Sequence, residues 1–112
     1  MTDWIDFTAQ YPVGAGTELD EQSIHQLLAG AKSWDERYRL LLQLTKQVPA
    51  IPTLWRHPDN EVSGCESRVW LLLYKDESGR CHFAVDSESR IVKALLITLL
   101  AAVNHQPADK IQ

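Results

Sequence analysis

The stretch that decides the fold is RVWLLLY at residues 68–74, followed by KDESGR at residues 75–80 and CHFAV at residues 81–85. When residues 68–74 are extended, both faces of the segment carry hydrophobic side chains, which is typical of a strand covered on both sides. The link to the next apolar segment is short, so we predict that the two strands pair antiparallel. A turn that joins residues 75 and 80 would place Cys81 opposite Tyr74.

Helical periodicity predicts two helices before this hairpin. The first spans about residues 20–29. The second begins at Ser33, whose S-x-x-E motif with Glu36 predicts reciprocal capping of the first-turn amides, and Pro49 lies beyond its end. Residues 1–16 lack clear helical periodicity, and we predict an irregular arm there, anchored by its aromatic side chains.

The longest helix is predicted after the hairpin, beginning at residues 86–88 with Ser87 as its N-cap. Asn104 is expected to end it, and residues 107–112 are predicted to start another helix. A wide apolar stripe indicates burial on more than one side of the long helix. The stripe consists of Ile91, Val92, Leu95, Leu96, Leu99, Leu100 and Val103.

This order of two helices, a hairpin and a helix predicts an α+β fold, with helices packed on a small antiparallel sheet. The chain has 112 residues. At this length we expect residues 1–112 to form a single domain.

Composition excludes several classes of function. The chain carries 11 basic and 15 acidic side chains, and the basic ones form no stripe of the kind that nucleic-acid binding requires. The longest apolar run, residues 94–103, is far shorter than the roughly 20 residues of a membrane span. The N-terminal segment does not resemble a secretory signal, and we expect a cytoplasmic protein whose two cysteines stay reduced.

Most sequence motifs of catalysis are absent. The chain contains no glycine-rich nucleotide loop, no H-E-x-x-H and no C-x-x-C. His25 and His105 are expected in solvated or capping positions at helices. The two cysteines and four histidines lack the paired local spacing of a zinc site, so we predict no metal.

Cys65 is the candidate functional residue, because it lies where a polar loop meets an apolar strand. Gly64 removes a side chain that would crowd an approaching partner, and Arg68 is close enough in sequence to favour the thiolate. Glu66 would oppose the thiolate if it were near, although alternation in an extended segment directs it to the other face. From these residues alone, a reactive thiol and an ordinary loop cysteine remain alternatives.

Cys81 is predicted to be a packed hairpin residue. It lies nine positions along the predicted hairpin from Cys65, or about 30 Å in a straight strand. A disulfide requires Cα atoms within about 7 Å, so we expect no bridge between these two cysteines.

Four blocks of sequence resemble the SufE family of cysteine-desulfurase sulfur acceptors. The block around Cys65 is VSGCESRVWL at residues 62–71, and the others are WDERYR at 34–39, KQVPAIP at 46–52 and FAVDSESRIVKALL at 83–96. Glu66 and Arg68 are more similar to the CsdE branch than to SufE proper. The resemblance implies the α+β architecture that this family shares with IscU.

The resemblance also implies a function. Cys65 would take sulfane sulfur from the cysteine persulfide of a pyridoxal-phosphate desulfurase, CsdA-like or SufS-like, stimulate that enzyme and pass the sulfur on. Gly64, Glu66 and Arg68 would bind the partner or support Cys65. The chain itself would need no cofactor and would act in iron–sulfur cluster assembly or related sulfur metabolism, with a recipient that the sequence does not name.

Three alternatives remain at this point. The chain could activate a desulfurase without covalent chemistry, or could be an IscU-like iron–sulfur scaffold, although a cluster usually takes about four protein ligands. It could also be a folded domain without activity. Family members continue into further helices beyond the position of Gln112. The resemblance therefore predicts a naturally short or an incomplete member, in which part of the apolar stripe is left uncovered.

Overall fold

The computed structural model describes residues 2–63 and 66–110. In chain order they form α1 (Thr2–Ala9), α2 (Glu21–Ala29), α3 (Trp34–Thr45), β1 (Val69–Lys75), β2 (Arg80–Ser87), α4 (Arg90–Val103) and β3 (Gln106–Pro107). Short 3-10 turns lie at Thr53–Trp55, Pro58–Asn60 and Ala108–Lys110. The helices pack on a small antiparallel sheet, which confirms the predicted α+β class.

The sheet has the order β1-β2-β3, and both strand pairs are antiparallel. Cys81 lies opposite Lys75, so the predicted pairing of Cys81 with Tyr74 is wrong by one residue. The turn is longer than predicted because the Asp76 carboxylate accepts hydrogen bonds from the backbone amides of Ser78 and Arg80. These bonds hold the chain in a compact loop before pairing begins.

The irregular arm predicted for residues 1–16 is wrong in its first half, because α1 is helical. The aromatic spacing that was assigned to an anchor is the buried face of this helix. Trp4 and Phe7 pack against the core. Tyr11 follows the helix and is buried, with its hydroxyl donating to the carbonyl of Val85 at 3.0 Å.

The predicted beginnings of α2 and α3 are confirmed. The side chains of Asp20 and Ser33 accept hydrogen bonds from the amides of Ser23 and Glu36, respectively. The reciprocal half of the predicted capping box does not form, because the carboxylate of Glu36 accepts instead from the amide of Lys32 at 3.3 Å.

The N-cap of α4 is Ser89, whose hydroxyl accepts from the amide of Val92. The prediction of Ser87 is therefore wrong. Asp86 and Ser87 continue β2, because the Asp86 carboxylate is held by Arg56 and the Ser87 hydroxyl donates to the carbonyl of Arg68. The Ser87 hydroxyl also accepts from the amide of Ser89 at 3.1 Å, so it supports the residue that caps the helix.

The core lies between the sheet and the helices and draws on residues from Tyr11 to Ala101. The buried face of α4 is offset from the predicted stripe and includes Lys93, Ala94, Ile97, Leu100 and Ala101. The helix packs against β2 as well as α2 and α3, while Leu95 and Leu99 are 52% and 66% exposed, so part of the predicted stripe is uncovered. None of the helices described here is long and apolar enough to cross a membrane.

Candidate functional site

The candidate site is the segment 63–68 and the residues that hold its two ends. Gly64 and Cys65 lie outside the described residues, so the site is defined by its surroundings. The amide of Val62 donates to the carbonyl of Val69 at 2.9 Å, and Glu61 forms an antiparallel bridge with Trp70. The chain on either side of the segment is thus joined as in a short hairpin.

Arg68 strengthens this junction through its side chain. Its Nη2 lies 3.0 Å from Oε1 of Glu61 and its Nε lies 3.3 Å from Oε2, which makes a two-pronged ion pair. Hydrogen bonding and charge from Glu61 raise the pKa of Arg68. The fork geometry of a guanidinium on a carboxylate fixes orientation as well as distance.

The backbone of Arg68 is held as well. Its amide donates to Oε1 of Glu88 at 3.1 Å. Its carbonyl accepts from the hydroxyl of Ser87 at 2.8 Å and from the amide of Glu88 at 3.1 Å. The end of β2 therefore fixes the last residue of the segment. Glu66, the other described member of the predicted site, is exposed.

Trp70 lies next to this junction and contacts two cations. Its ring centroid is 5.0 Å from the guanidinium carbon of Arg56 and 5.0 Å from that of Arg68. The residue is 3% exposed, and its indole N–H has no acceptor among the described residues. Packing and two cation–π contacts therefore hold the ring, in place of a hydrogen bond.

Arg56 is anchored by a buried carboxylate that sequence reasoning assigned to a helix start. Its Nη2 donates to Oδ2 of Asp86 at 2.8 Å, and its Nε donates to the carbonyl of Ile51 at 2.9 Å. Asp86 is 2% exposed and also accepts from the amide of Ile51 at 2.7 Å. Nζ of Lys93 lies 3.4 Å from Oδ1 of Asp86.

Sequence reasoning missed Arg56 and Asp86 as members of the site. One signal was available, because Asp86 ends the apolar run FAV at residues 83–85 and Lys93 interrupts an apolar helix face. Charged residues are rarely buried unless they are paired, so two such interruptions of opposite sign indicate an ion pair. Arg56 lies in a polar loop and gave no comparable signal.

The described charges that hold the segment are paired with one another. Three cations and three carboxylates take part: Arg56, Arg68 and Lys93 with Glu61, Asp86 and Glu88. Arg68, which was predicted to favour a thiolate, is already paired with Glu61. Glu66 adds a further, exposed carboxylate within the segment.

Cys81 is buried on β2, which confirms its prediction as a packed hairpin residue. Its carbonyl accepts from the amide of His105 at 2.9 Å. Among the described residues, no group of three or more histidine, cysteine, aspartate or glutamate side chains could hold a metal ion.

Comparisons with known proteins identify the family. The SufE family profile, described as an Fe-S metabolism associated domain, matches residues 22–112. The sulfur acceptor protein CsdE of Escherichia coli K12 is 40% identical over 97 residues, which cover 87% of this chain and 66% of that protein. An uncharacterized SufE-like protein of Rhizobium etli is 36% identical over 81 residues, or 70% of this chain and 55% of that protein.

The chain thus spans just under two thirds of one of these relatives and about half of the other. The family profile covers α2 to β3 and the described residues that hold segment 63–68. The chain belongs to the SufE family, with similarity to CsdE over most of its length.

Proposed function

We propose that this protein accepts sulfane sulfur on Cys65 from the persulfide of a pyridoxal-phosphate cysteine desulfurase. The relative from Escherichia coli is named a sulfur acceptor, and the aligned region of 97 residues spans most of this chain. The observation that supports the proposal is the pairing of Val62 with Val69 and of Glu61 with Trp70, because it joins the chain on the two sides of the short stretch that contains Cys65 in the sequence.

The proposed reaction is thiol exchange at sulfur. The Cys65 thiolate attacks the outer sulfur of the donor persulfide, a new S–S bond forms on Cys65, and the old S–S bond breaks. The electron pair of the broken bond leaves on the donor cysteine as its thiolate, and the proton of the outer sulfur stays with that atom. No oxidant or reductant is consumed, because the sulfane sulfur keeps its oxidation state.

The finer assignments belong to the same proposal. Similarity to CsdE supports a CsdA-like donor over a SufS-like one. Gly64, Glu66 and Arg68 would contribute to docking and to the support of Cys65. Arg68 would act through its ion pair with Glu61 and its contact with Trp70.

Mass spectrometry tests the proposal directly. The protein is incubated with a CsdA-like desulfurase and cysteine, and the Cys65 and Cys81 peptides are examined for the added mass of one sulfur atom. We expect the addition on Cys65, its loss in Cys65→Ala, and no change in Cys81→Ala. Stimulation of the desulfurase that survives Cys65→Ala, without sulfur on wild-type Cys65, would establish a non-covalent activator instead.

A further inference from the structure

We infer that Arg56 is a positioning residue for sulfur acceptance, acting through Trp70 and Arg68 on the segment that carries Cys65. This inference rests on the proposed function. Arg56 is nine positions from Cys65 in the chain and belongs to none of the motifs that identified the family from the sequence. Its role follows from a continuous series of contacts. The series begins at the buried carboxylate of Asp86 and ends at the ion pair of Arg68 with Glu61.

The first step is the fixation of Arg56 itself. Asp86 and the carbonyl of Ile51 hold two different nitrogens of its guanidinium, at 2.8 and 2.9 Å. Because the group is planar, two such bonds set the tilt of the whole plane as well as its position. The side chain is 31% exposed, so the guanidinium is held within the fold while its outer edge meets solvent.

In the second step, the fixed guanidinium of Arg56 limits the movement of the Trp70 ring. The indole N–H has no acceptor among the described residues, so no hydrogen bond there sets the rotation of the ring. A buried donor without a partner is unfavourable, and the contacts with the two guanidinium groups help to offset this cost. The guanidinium of Arg56, itself fixed in place, therefore restricts the orientation of the indole that it contacts.

The third step connects Trp70 to the segment. The guanidinium carbon of Arg68 lies 5.0 Å from the centroid of the indole ring. Two nitrogens of the same group donate to the carboxylate of Glu61. The backbone of Glu61 in turn forms a β-bridge with Trp70. If the indole rotates, the guanidinium of Arg68 keeps its contact with Glu61 but loses its contact with the ring, and the ion pair loosens. Residues on both sides of Cys65 would then fluctuate more, although the fold would remain intact.

Replacing Arg56 separates positioning from charge. Arg56→Lys keeps the cation near Asp86 but loses the planar fork, and Arg56→Gln loses both. We expect both variants to lower the rate of sulfur acceptance at saturating desulfurase by about tenfold. The desulfurase concentration that gives half the maximal rate should stay unchanged. Arg39→Lys, on an exposed position of α3, is the matched control and should behave as wild type.

A second measurement is independent of the desulfurase. Hydrogen exchange of the Val62 amide, which donates to Val69, should be faster in Arg56→Lys than in wild type. Exchange of amides at the centre of β2 should be unchanged, which shows that the variant is folded. If wild-type Cys65 gains no sulfur while Val62 responds as expected, the proposed function fails and the structural linkage stands.

Three results would overturn the inference. Full activity in Arg56→Lys with loss only in Arg56→Gln would assign Arg56 an electrostatic role. Unchanged exchange at Val62 would break the linkage through Trp70. Additivity of Arg56→Lys with Glu61→Gln, the variant at the opposite end of the contact series, would show that the two residues act separately.

Discussion

At the scale of single residues, the two cysteines are expected to differ in reactivity. Cys81 is 8% exposed on a paired strand, and Cys65 belongs to the segment between the joined residues Val62 and Val69. Iodoacetamide should therefore alkylate Cys65 faster than Cys81 in the native protein, because a buried thiol reacts only after local opening. Peptide mass spectrometry over time gives both rates. Equal rates would remove the distinction, and equal rates in denaturant are the control.

Asn104 is the polar residue on which the end of α4 depends. Its Oδ1 accepts from the amide of Phe83 at 2.6 Å, and its Nδ2 donates to the carbonyls of Val13 and Phe83 at 2.9 and 3.0 Å. The residue is completely buried, and a Cβ added to Gly14 would lie 2.7 Å from its own Cβ. The sequence indicated only that Asn104 ends a helix.

Replacing Asn104 should be costly. Asn104→Ala leaves three backbone groups without their side-chain partner, the amide and carbonyl of Phe83 and the carbonyl of Val13. We therefore expect a loss of about 2–4 kcal/mol in the free energy of unfolding. Urea denaturation measures this difference. Gln26→Ala, on an exposed position of α2, is the control and should change stability by less than about 0.5 kcal/mol. A loss below about 1 kcal/mol in Asn104→Ala would contradict the proposed dependence.

At the scale of elements, a pair of histidines joins the end of α4 to β2. His105 has a φ of 63°, and its Nε2 lies 2.8 Å from the carbonyl oxygen of Tyr11. A carbonyl only accepts, so this nitrogen carries the proton. Nδ1 of neutral His105 can then accept from Nδ1 of His82, 2.7 Å away. The Asp76 carboxylate lies 2.9 Å from the other nitrogen of His82.

Other groups also face this pair. Arg80 donates to the carbonyl of His105 at 3.0 Å, and the ring of Tyr74 stacks on His82. Hydrogen bonds from Ser78, and then from His82, hold the pKa of Asp76 well below its ordinary value. The Asp76 side chain therefore remains a carboxylate throughout the pH range in which histidines titrate.

The free energy of unfolding should decrease as the pH falls, because of the histidine pair His82 and His105. Burial, with a smaller contribution from His82, lowers the pKa of His105 below its ordinary value of 6.5. A lowered pKa means that the unfolded chain takes up the proton first, so stability falls as pH drops below about 6.5. Urea midpoints between about pH 7.5 and pH 5 measure this, and His105→Gln should flatten the profile. Equal flattening by His25→Gln, at an exposed site, would contradict it.

The elements also show where sequence reasoning succeeds. The beginning of α2 near Asp20, the cap at Ser33 and the hairpin itself depend on neighbouring residues and were predictable. The prediction of Ser87 as an N-cap failed because β2 extends through Ser87, where the hydroxyl donates to the carbonyl of Arg68, 19 positions away. Arg56 and Asp86, 30 positions apart, could not be joined from periodicity alone. Contacts between residues distant in sequence decided these cases.

At the scale of the whole molecule, the burial of α4 is uneven. Leu100 is 6% exposed and belongs to the core, whereas the adjacent Leu99 is 66% exposed. Leu100→Ala should lower the free energy of unfolding by about 2–5 kcal/mol, and Leu99→Ala by less than about 1 kcal/mol. Urea denaturation of the two variants compares neighbouring residues of one helix. Equal losses would mean that Leu99 is covered in solution.

The hairpin of β1 and β2 gives the molecule two separate ends. Segment 63–68 lies beside Val69 at one end, and the Asp76–Arg80 turn closes the other. A strand of seven residues is about 23 Å long, so the two ends are well apart. Glu77 is exposed at the far end. A reporter dye attached at position 77 would therefore lie far from Val62 and Val69, so binding of the proposed desulfurase beside them could be followed in real time.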